Sequence, residues 1–321
     1  MVDGPDPAMT PAKRRHTCRQ AQIRRQLYTR HRMTAALRTF FDEQNYLEVE
    51  TPVRIPAPAP EAHIDPVPSA DWYLQTSPEL CMKRLLAAGY PRIYQICRCF
   101  RQGERGRRHL PEMTMLEWYT ADADYLDMMD QTEALVLSVV DDLLDGARAL
   151  TYQGRRIDLS PPWERLRVSD AFGRYGGGDM ASALENNRFD EVMGLDIEPR
   201  LGLERPVFLM DYPIAQGALA RRRAQAPDEV ERFELYIAGL ELCNAFSELT
   251  DPTEQRRRFV DERAARQAAG KTAAPMPEPF LSALESLPDC TGNALGVDRL
   301  AMLFADVVDI DAVSAFTSEE L

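Results

Sequence analysis

The sequence predicts an α+β fold in which a mainly antiparallel sheet is flanked by helices. Three observations predict it. Residues 92–119 read as two strands joined by a polar loop with two glycines, an antiparallel pair rather than a βαβ unit. Arg232–Ile237 and Leu240–Glu248 read as a second antiparallel pair, turned tightly at Ala238–Gly239. The clearest helical spacing runs from Met128 to Leu144, with apolar residues at Leu135, Val136, Val139, Val140 and Leu143 between.

The remaining elements follow in order. Residues 1–19, rich in Pro, Asp and Arg, read as a flexible tail, and residues 20–321 as one catalytic-type domain. Ile23, Leu27, Met33, Leu37, Phe40 and Phe41 are spaced for an amphipathic helix ending near Asn45. Tyr46–Val53 reads as extended. Residues 54–70, rich in Pro and Ala, read as a loop, and Trp72–Gln75 as a short strand. Ser77 and Pro78 suit the cap and first residue of a helix through Leu86. Residues 150–200 read as an insertion with helices of its own. Val207–Tyr212 reads as a strand, 253–269 as a charged helix, and 295–304 as a glycine turn entering a buried helix.

Composition narrows the classes. The chain has 321 residues, 45% of them hydrophobic, enough for a sizeable core. Its 38 Lys and Arg against 51 Asp and Glu give a net charge of −13, which disfavours nucleic acid over most of the surface. No apolar run approaches the roughly 20 residues that span a bilayer. The six cysteines lack zinc spacing and read as reduced, mostly buried thiols of a cytoplasmic protein. Neither a G-x-x-x-x-G-K-[ST] loop nor a GxGxxG turn after a strand occurs. A nucleotide would therefore have to be held by arginine and carboxylate side chains on the sheet.

Three segments carry such side chains. In RIYQICRCFRQGERGRRHLPEMTMLEWY, residues 92–119, alternation puts Gln95, Cys97, Cys99 and Arg101 on one face, and Met113, Met115, Glu117 and Tyr119 on one face of the returning strand. Arg101 ends its strand where a guanidinium can hold a carboxylate or phosphate bidentately. In ERFELYIAGLELCNAFSELTD, residues 231–251, Tyr236 should face Glu241, making Glu234 and Glu241 diagonal neighbours that call for a cation such as Mg²⁺. Asn244, Phe246 and Glu248 have the opposite parity and join that face only through a bulge near Leu242–Cys243. In TGNALGVDRLAMLF, residues 291–304, Gly292, Ala294 and Gly296 allow close approach to the backbone, and Arg299 follows in an apolar helix.

With these segments in hand, the chain resembles the class II lysyl-tRNA synthetase group, and within it the free-standing elongation factor P–(R)-β-lysine ligases. The likeness runs from about residue 20 to 316. It is strongest at TSPEL-MKRLLAAG, FR-GE-R-H-PE-TMLEWY, ERFELY-GLEL-N-F-ELTD and ALGVDRL, and YLEVETP resembles the dimer-forming motif that ends in Pro52. The resemblance implies the class II catalytic fold, a homodimer, and ATP with Mg²⁺. It implies catalytic Arg101 and Arg299, and ATP contacts from Arg101, Gln102, His109, Met113, Glu241, Leu242, Gly296 and Arg299. Amino-acid contacts would come from Ser77, Pro78, Glu79, Glu117, Tyr119, Asn244, Phe246, Glu248 and Ala294, and metal ligands from Glu234 and Glu241.

The implied reaction activates (R)-β-lysine or lysine as an adenylate and transfers it to a lysine ε-amine of elongation factor P. The early position of the dimer motif leads us to expect no anticodon-binding domain and disfavours tRNA as acceptor. A basic loop at Arg105, Arg107 and Arg108 is a candidate docking edge. Gln102–Gly103 departs from the family's Asn-Glu, and Met113 stands where Phe commonly stacks on adenine. A tRNA or small-molecule acceptor, or a regulatory protein that binds without chemistry, are the alternative readings.

Overall fold

The computed structural model describes residues 18–217 and 219–321. The tail expected over 1–19 thus lies outside the described residues as far as residue 17. Arg19 does not belong to a free tail. It opens α1 (Arg19–Gln22), donates to the Asp311 carbonyl at 2.5 Å and pairs with Glu320 at 2.6 Å.

α2 (Arg24–Glu43) buries Met33, Ala36, Leu37 and Phe41, a stripe at helical spacing. After β1 (Leu47–Glu48) comes the Pro-rich stretch expected to be a loop. Its two ends are strands: β2 (Arg54–Ile55) and β3 (Pro68–Ser69) both pair with β4 (Trp72–Leu74). The span between is therefore anchored at both ends, and the Gln102 N–H ties it to the large sheet by donating to the Asp65 carbonyl at 2.7 Å. α3 (Glu79–Ala87) starts one residue later than expected. Pro78 is its N-cap, and Ser77 Oγ accepts the Glu79 N–H at 3.0 Å.

Among the described residues the large sheet has nine strands. β5 (Arg92–Phe100) and β6 (Glu112–Ala121) form the first hairpin, followed by α4 (Tyr125–Leu143). Asp124 caps α4 by accepting from Leu126 N and Asp127 N, while Asp127 reaches back to Asp124 N, which fixes where the helix starts. A separate small hairpin, β7 (Ala149–Tyr152) and β8 (Arg155–Asp158), precedes β9 (Glu164–Arg167), α5 (Val168–Tyr175), α6 (Met180–Glu185) and α7 (Phe189–Val192). The region expected as an insertion is thus partly sheet. β9 adds to the sheet edge parallel to β10 (Val207–Pro213), and Val168, Ala171 and Phe172 of α5 pack with Leu209 and Tyr212.

β11 (Arg222–Arg223) pairs with β12 (Ala226–Ile237), which turns into β13 (Leu240–Ser247). At that turn Ala238 and Gly239 take φ of 56° and 70°, the left-handed pair a two-residue hairpin demands. α8 (Pro252–Ala268) and α9 (Glu278–Ala283) lead to β14 (Cys290–Gly296) and α10 (Val297–Ala305). The strand order is β1-β5-β6-β14-β13-β12-β10-β9, antiparallel except where β1 meets β5 and β9 meets β10. β14 replaces the expected glycine turn. Its Thr-Gly-Asn-Ala sequence has no apolar alternation, and it is a strand because β6 and β13 hydrogen-bond it on both sides.

Alternation divides the sheet into two faces. Tyr94, Leu116, Trp118, Cys243, Ala245 and Leu295 point to α2, α4 and α10 and form the main core. Burying a side chain such as Leu116 there is worth roughly 1.5–3 kcal/mol. Residues one step away point to the opposite face, where α3 and α9 cover only part of the sheet. All six cysteines are free, three buried (Cys99, Cys243, Cys290), two half-buried and Cys18 exposed, so the thiols are less buried than expected. Among the described residues no helix is long and apolar enough to cross a membrane.

Candidate functional site

The half-covered face of the sheet holds a cavity of about 310 Å³. Register explains which side chains line it. Glu117 on β6 faces Ala294 on β14, and Ala294 faces Asn244 on β13. Between Leu235 and Tyr236 the β12–β13 register slips by one. Leu235 pairs with Cys243 and Tyr236 with Glu241, so Leu242 is the extra residue. This is the bulge that parity required, and it brings Glu241, Asn244, Phe246 and Glu248 into one cavity.

One end of the cavity is acidic. Glu117 accepts from Tyr119 Oη at 2.5 Å and from Ser77 Oγ at 2.8 Å. Burial and the neighbouring Glu79 nevertheless push its pKa up to about 8. Glu248 is fully buried and paired with Lys83, whose Nζ also meets Glu79 Oε1 at 2.5 Å. Burial lifts the Glu248 carboxyl to about 8 against the pull of Lys83. Burial also works against the Lys83 ammonium, yet Glu248 and Glu79 hold its pKa above the ordinary lysine value. The rings of Phe246 and Phe280 lie 5.3 and 5.8 Å from Nζ.

Three carboxyl groups, Glu79, Glu117 and Glu248, thus face one internal ammonium, an excess of two. Glu248 Oε1 is buried with no hydrogen-bond partner. Only glycine fits between Tyr119 and Glu248. A Cβ on Gly292 would stand 2.3 Å from Tyr119 Cε1 and 2.5 Å from Glu248 Oε1.

The other end is basic. Arg101 has its nearest carboxylate, Glu104, at 3.9 Å, and its buried Nε lacks a partner. Arg299 donates to the Glu241 carbonyl at 2.9 Å and to Glu241 Oε2 at 3.0 Å, and its Nη2 lies 2.6 Å from His109 Nε2. Burial and Arg299 lower the His109 pKa, which leaves a neutral ring to accept from the guanidinium. Burial disfavours the Glu241 carboxylate, but Arg299, Arg232 and Arg101 together hold its pKa below the usual range. Asp298 fixes this end to the sheet by accepting the Thr114 N–H at 2.7 Å and pairing with Arg30.

Of the residues singled out from sequence, Ser77, Glu79, Arg101, His109, Met113, Glu117, Tyr119, Glu241, Leu242, Asn244, Phe246, Glu248, Ala294, Gly296 and Arg299 line this one cavity. Three do not. Pro78 caps α3 outside the lining. Gln102 is exposed and lines a neighbouring cavity with Asp65, Trp72 and Lys271, because its N–H is bonded to the loop at Asp65. Glu234 shares the face of its register partner Asn244 but lies outside the lining. It accepts from Tyr212 Oη at 2.6 Å, Tyr236 Oη at 2.7 Å and Arg232 Nη2 at 2.6 Å. Arg232 in turn donates to Asn244 Oδ1 at 2.9 Å and stacks 4.3 Å from the Tyr212 ring.

Sequence reading did not single out Lys83 or Glu61. Lys83 stood inside a recognised motif, four residues after Glu79, the spacing of a helical ion pair. Glu61 lay in a stretch taken for a featureless loop. In the basic loop, Arg105 is already paired with Asp311 at 2.8 Å and Glu319 at 2.7 Å, and Arg108 donates to the Gly239 carbonyl.

A family model for tRNA synthetases of class II (D, K and N) matches residues 6–320. A lysine–tRNA ligase of Moorella thermoacetica is 40% identical over 322 residues, covering 92% of this chain and 65% of that ligase. An elongation factor P–(R)-β-lysine ligase of Pectobacterium atrosepticum is 39% identical over 311 residues, covering 91% of this chain and 95% of the relative. Its counterpart in Erwinia tasmaniensis is 39% identical, covering 91% of this chain and 94% of the relative. The chain therefore spans about 65% of the lysine–tRNA ligase it matches and nearly all of the elongation factor P ligases.

Proposed function

The chain belongs to the class II tRNA synthetases (D, K and N), and from that premise we propose that it is an ATP-dependent ligase that activates (R)-β-lysine, or lysine, as an aminoacyl adenylate and transfers it to a lysine ε-amine of elongation factor P. The observation that carries the reading is the charge excess at the acidic end. Two uncompensated buried carboxyls suit a substrate with two ammonium groups, and no monoamine satisfies both. Arg101, with an unpartnered guanidinium nitrogen at the other end of the cavity, suits the substrate carboxylate and the ATP α-phosphate.

In the first step the amino-acid carboxylate attacks the α-phosphorus and pyrophosphate leaves. Arg101 and Arg299 neutralise charge that builds on the phosphate oxygens, and Arg299 is held before the substrate arrives by Glu241 and His109. The acidic end orients the diamine so that its carboxylate meets Arg101. Mg²⁺, when bound, would supply charge neutralisation on the phosphates. Of the two carboxylates expected to hold it, Glu241 faces the cavity, whereas the Glu234 oxygens already accept three hydrogen bonds.

Ala294 lies between Glu117 and Asn244 in register, so its methyl group narrows the space beside Glu117, which supports an amine shifted by one carbon. The net charge of −13 weighs against tRNA over most of the surface, though a local basic patch would still bind it. A homodimer, a cytoplasmic location and one catalytic domain over residues 20–321 belong to the same reading. The test is amino-acid-dependent ATP–pyrophosphate exchange with (R)-β-lysine, α-lysine and no amino acid. Exchange with β-lysine above α-lysine supports the reading. Exchange with α-lysine alone, and lysylation of tRNA, would replace the acceptor. No exchange from folded protein would leave a binding protein.

A further inference from the structure

Five acidic side chains lining the cavity have a fixed donor: Glu79 and Glu248 share Lys83, Glu117 takes Tyr119 and Ser77, Glu241 takes Arg299, and Asp298 takes Arg30 and Thr114; a sixth, Glu104, stands 3.9 Å from Arg101. Glu61 lines the same cavity, and among the described residues its carboxyl has neither a hydrogen bond nor an ion pair. Its backbone, by contrast, is pinned. The Glu61 carbonyl accepts from Arg266 at 2.8 Å, and the next N–H, of Ala62, donates to Glu262 at 2.6 Å. The anchored loop thus holds a free carboxyl at a fixed place on the wall that Glu79 and Arg101 also line.

We propose that Glu61 is the general base of the transfer step, taking a proton from the incoming amine. The inference rests on the adenylate-forming reading above. An alkylammonium acceptor is protonated at neutral pH and cannot attack. It gives one proton to the Glu61 carboxylate, and its lone pair forms the C–N bond to the acyl carbon. The C–O bond to the phosphate breaks, its electron pair leaves with AMP, and the second N–H proton goes to water, after which Glu61 returns its own proton to solvent.

The environment of Glu61 suits this task. The groups that face it are Glu79 and Glu262, which repel its charge, and Arg101 and Arg232, which favour it. Burial and Glu79 push the carboxyl up to about 7, near the pH at which a base both accepts and releases protons readily. A carboxyl committed to Lys83 or Arg299 cannot cycle in this way without breaking an ion pair. Glu61 is half-buried, so it can return its proton to solvent once the product has left.

The test separates the two half-reactions in the full-length chain. Glu61→Gln is expected to keep ATP–pyrophosphate exchange within about twofold of the native chain. Single-turnover transfer from preformed adenylate to the ε-amine of an Nα-blocked lysine, or to elongation factor P, should fall by about 10²–10⁴-fold, the usual worth of a general base. Transfer to hydroxylamine, which is largely unprotonated at neutral pH, should be unchanged, and Glu61→Asp should recover part of the lysine transfer. The pH dependence of transfer should lose its limb near 7 in Glu61→Gln.

Unchanged transfer to the lysine amine overturns the proposal. So does an equal loss with hydroxylamine, or a loss of exchange with a raised KM for the amino acid, which would make Glu61 a substrate ligand. Absence of exchange in the native chain overturns the activation reading itself and this proposal with it, a result distinguishable from the others because it precedes any substitution.

Discussion

The two ends of the cavity are built on opposite principles. At the acidic end the charged groups are buried and interlocked. Glu117 is 2% exposed, Glu248 0% and Lys83 2%, and their partners are fixed before any ligand binds. At the basic end Arg101 keeps an unused nitrogen, and Arg299 is tied to Glu241 and to the ring of His109. Buried carboxyls in excess of their counterions are costly, and a cationic substrate offsets that cost only if it fits. On the proposed reading the acidic end selects. On the same reading the arginines have no such demand in the ground state and act where charge develops.

The largest effect that could break this contrast comes from Arg101. Arg101→Ala should lower kcat for amino-acid-dependent pyrophosphate exchange by about 10²–10³-fold, the cost of removing one charge-stabilising donor. Binding of the diamine, followed by calorimetry without ATP, should weaken far less. Exchange within about tenfold of the native rate would show that the basic end is not where charge develops.

Gly292→Ala attacks the other end. Its Cβ would meet Tyr119 and Glu248 at 2.3 and 2.5 Å, and both are packed too firmly to withdraw. Misplacing the amine contacts by about 1 Å should cost on the order of 10²-fold in kcat/KM for the amino acid, with the KM for ATP nearly unchanged. Equal losses for both substrates would mean that the two ends are not separable.

A smaller effect comes from pH. Burial and Glu79 hold a proton on Glu117 up to about pH 8, and it must ionise to receive an ammonium group. Below that pH, binding must expel a proton, so the KM for the diamine should fall as pH rises from 6 to 8, by up to tenfold per unit for each proton, and then level off. The direction is that of carboxyls raised by burial; a carboxylate already ionised at pH 6 would give a flat profile. Calorimetry in buffers of different ionisation enthalpy would count the protons released.

Legibility in the sequence followed the same division. Alternation along β5, β6 and β13 was readable because each strand also carries core residues one step away, such as Leu116 and Trp118 beside Glu117. Parity even required the bulge at Leu242. β14 was hidden, since Thr291–Ala294 has no apolar period and is a strand by virtue of its neighbours. Lys83 was hidden because a lysine in an amphipathic helix reads as solvated until a sheet places Glu248 against it. Glu61 was hidden because a Pro-rich stretch carries no period, and only the pairing of its two ends with β4 fixes where it lies.

Glu234 makes the finest test of the division between selecting and reacting groups. Sequence parity put it beside Glu241 as a second metal ligand, and the register does keep the two on neighbouring pairs, Glu234 with Asn244 and Tyr236 with Glu241. Its oxygens, however, receive Tyr212, Tyr236 and Arg232, and Arg232 positions Asn244. On the proposed reading Glu234 then serves the amino-acid end through Arg232. Glu234→Gln keeps acceptors for the tyrosines and loses the charge that holds Arg232. The expected result is a rise of a few-fold in the KM for the amino acid, the order of one charged hydrogen bond weakened rather than removed, with the Mg²⁺ concentration for half-maximal exchange unchanged. A tenfold rise in that Mg²⁺ requirement would return Glu234 to the metal, and would mean that its three hydrogen bonds give way when ATP binds.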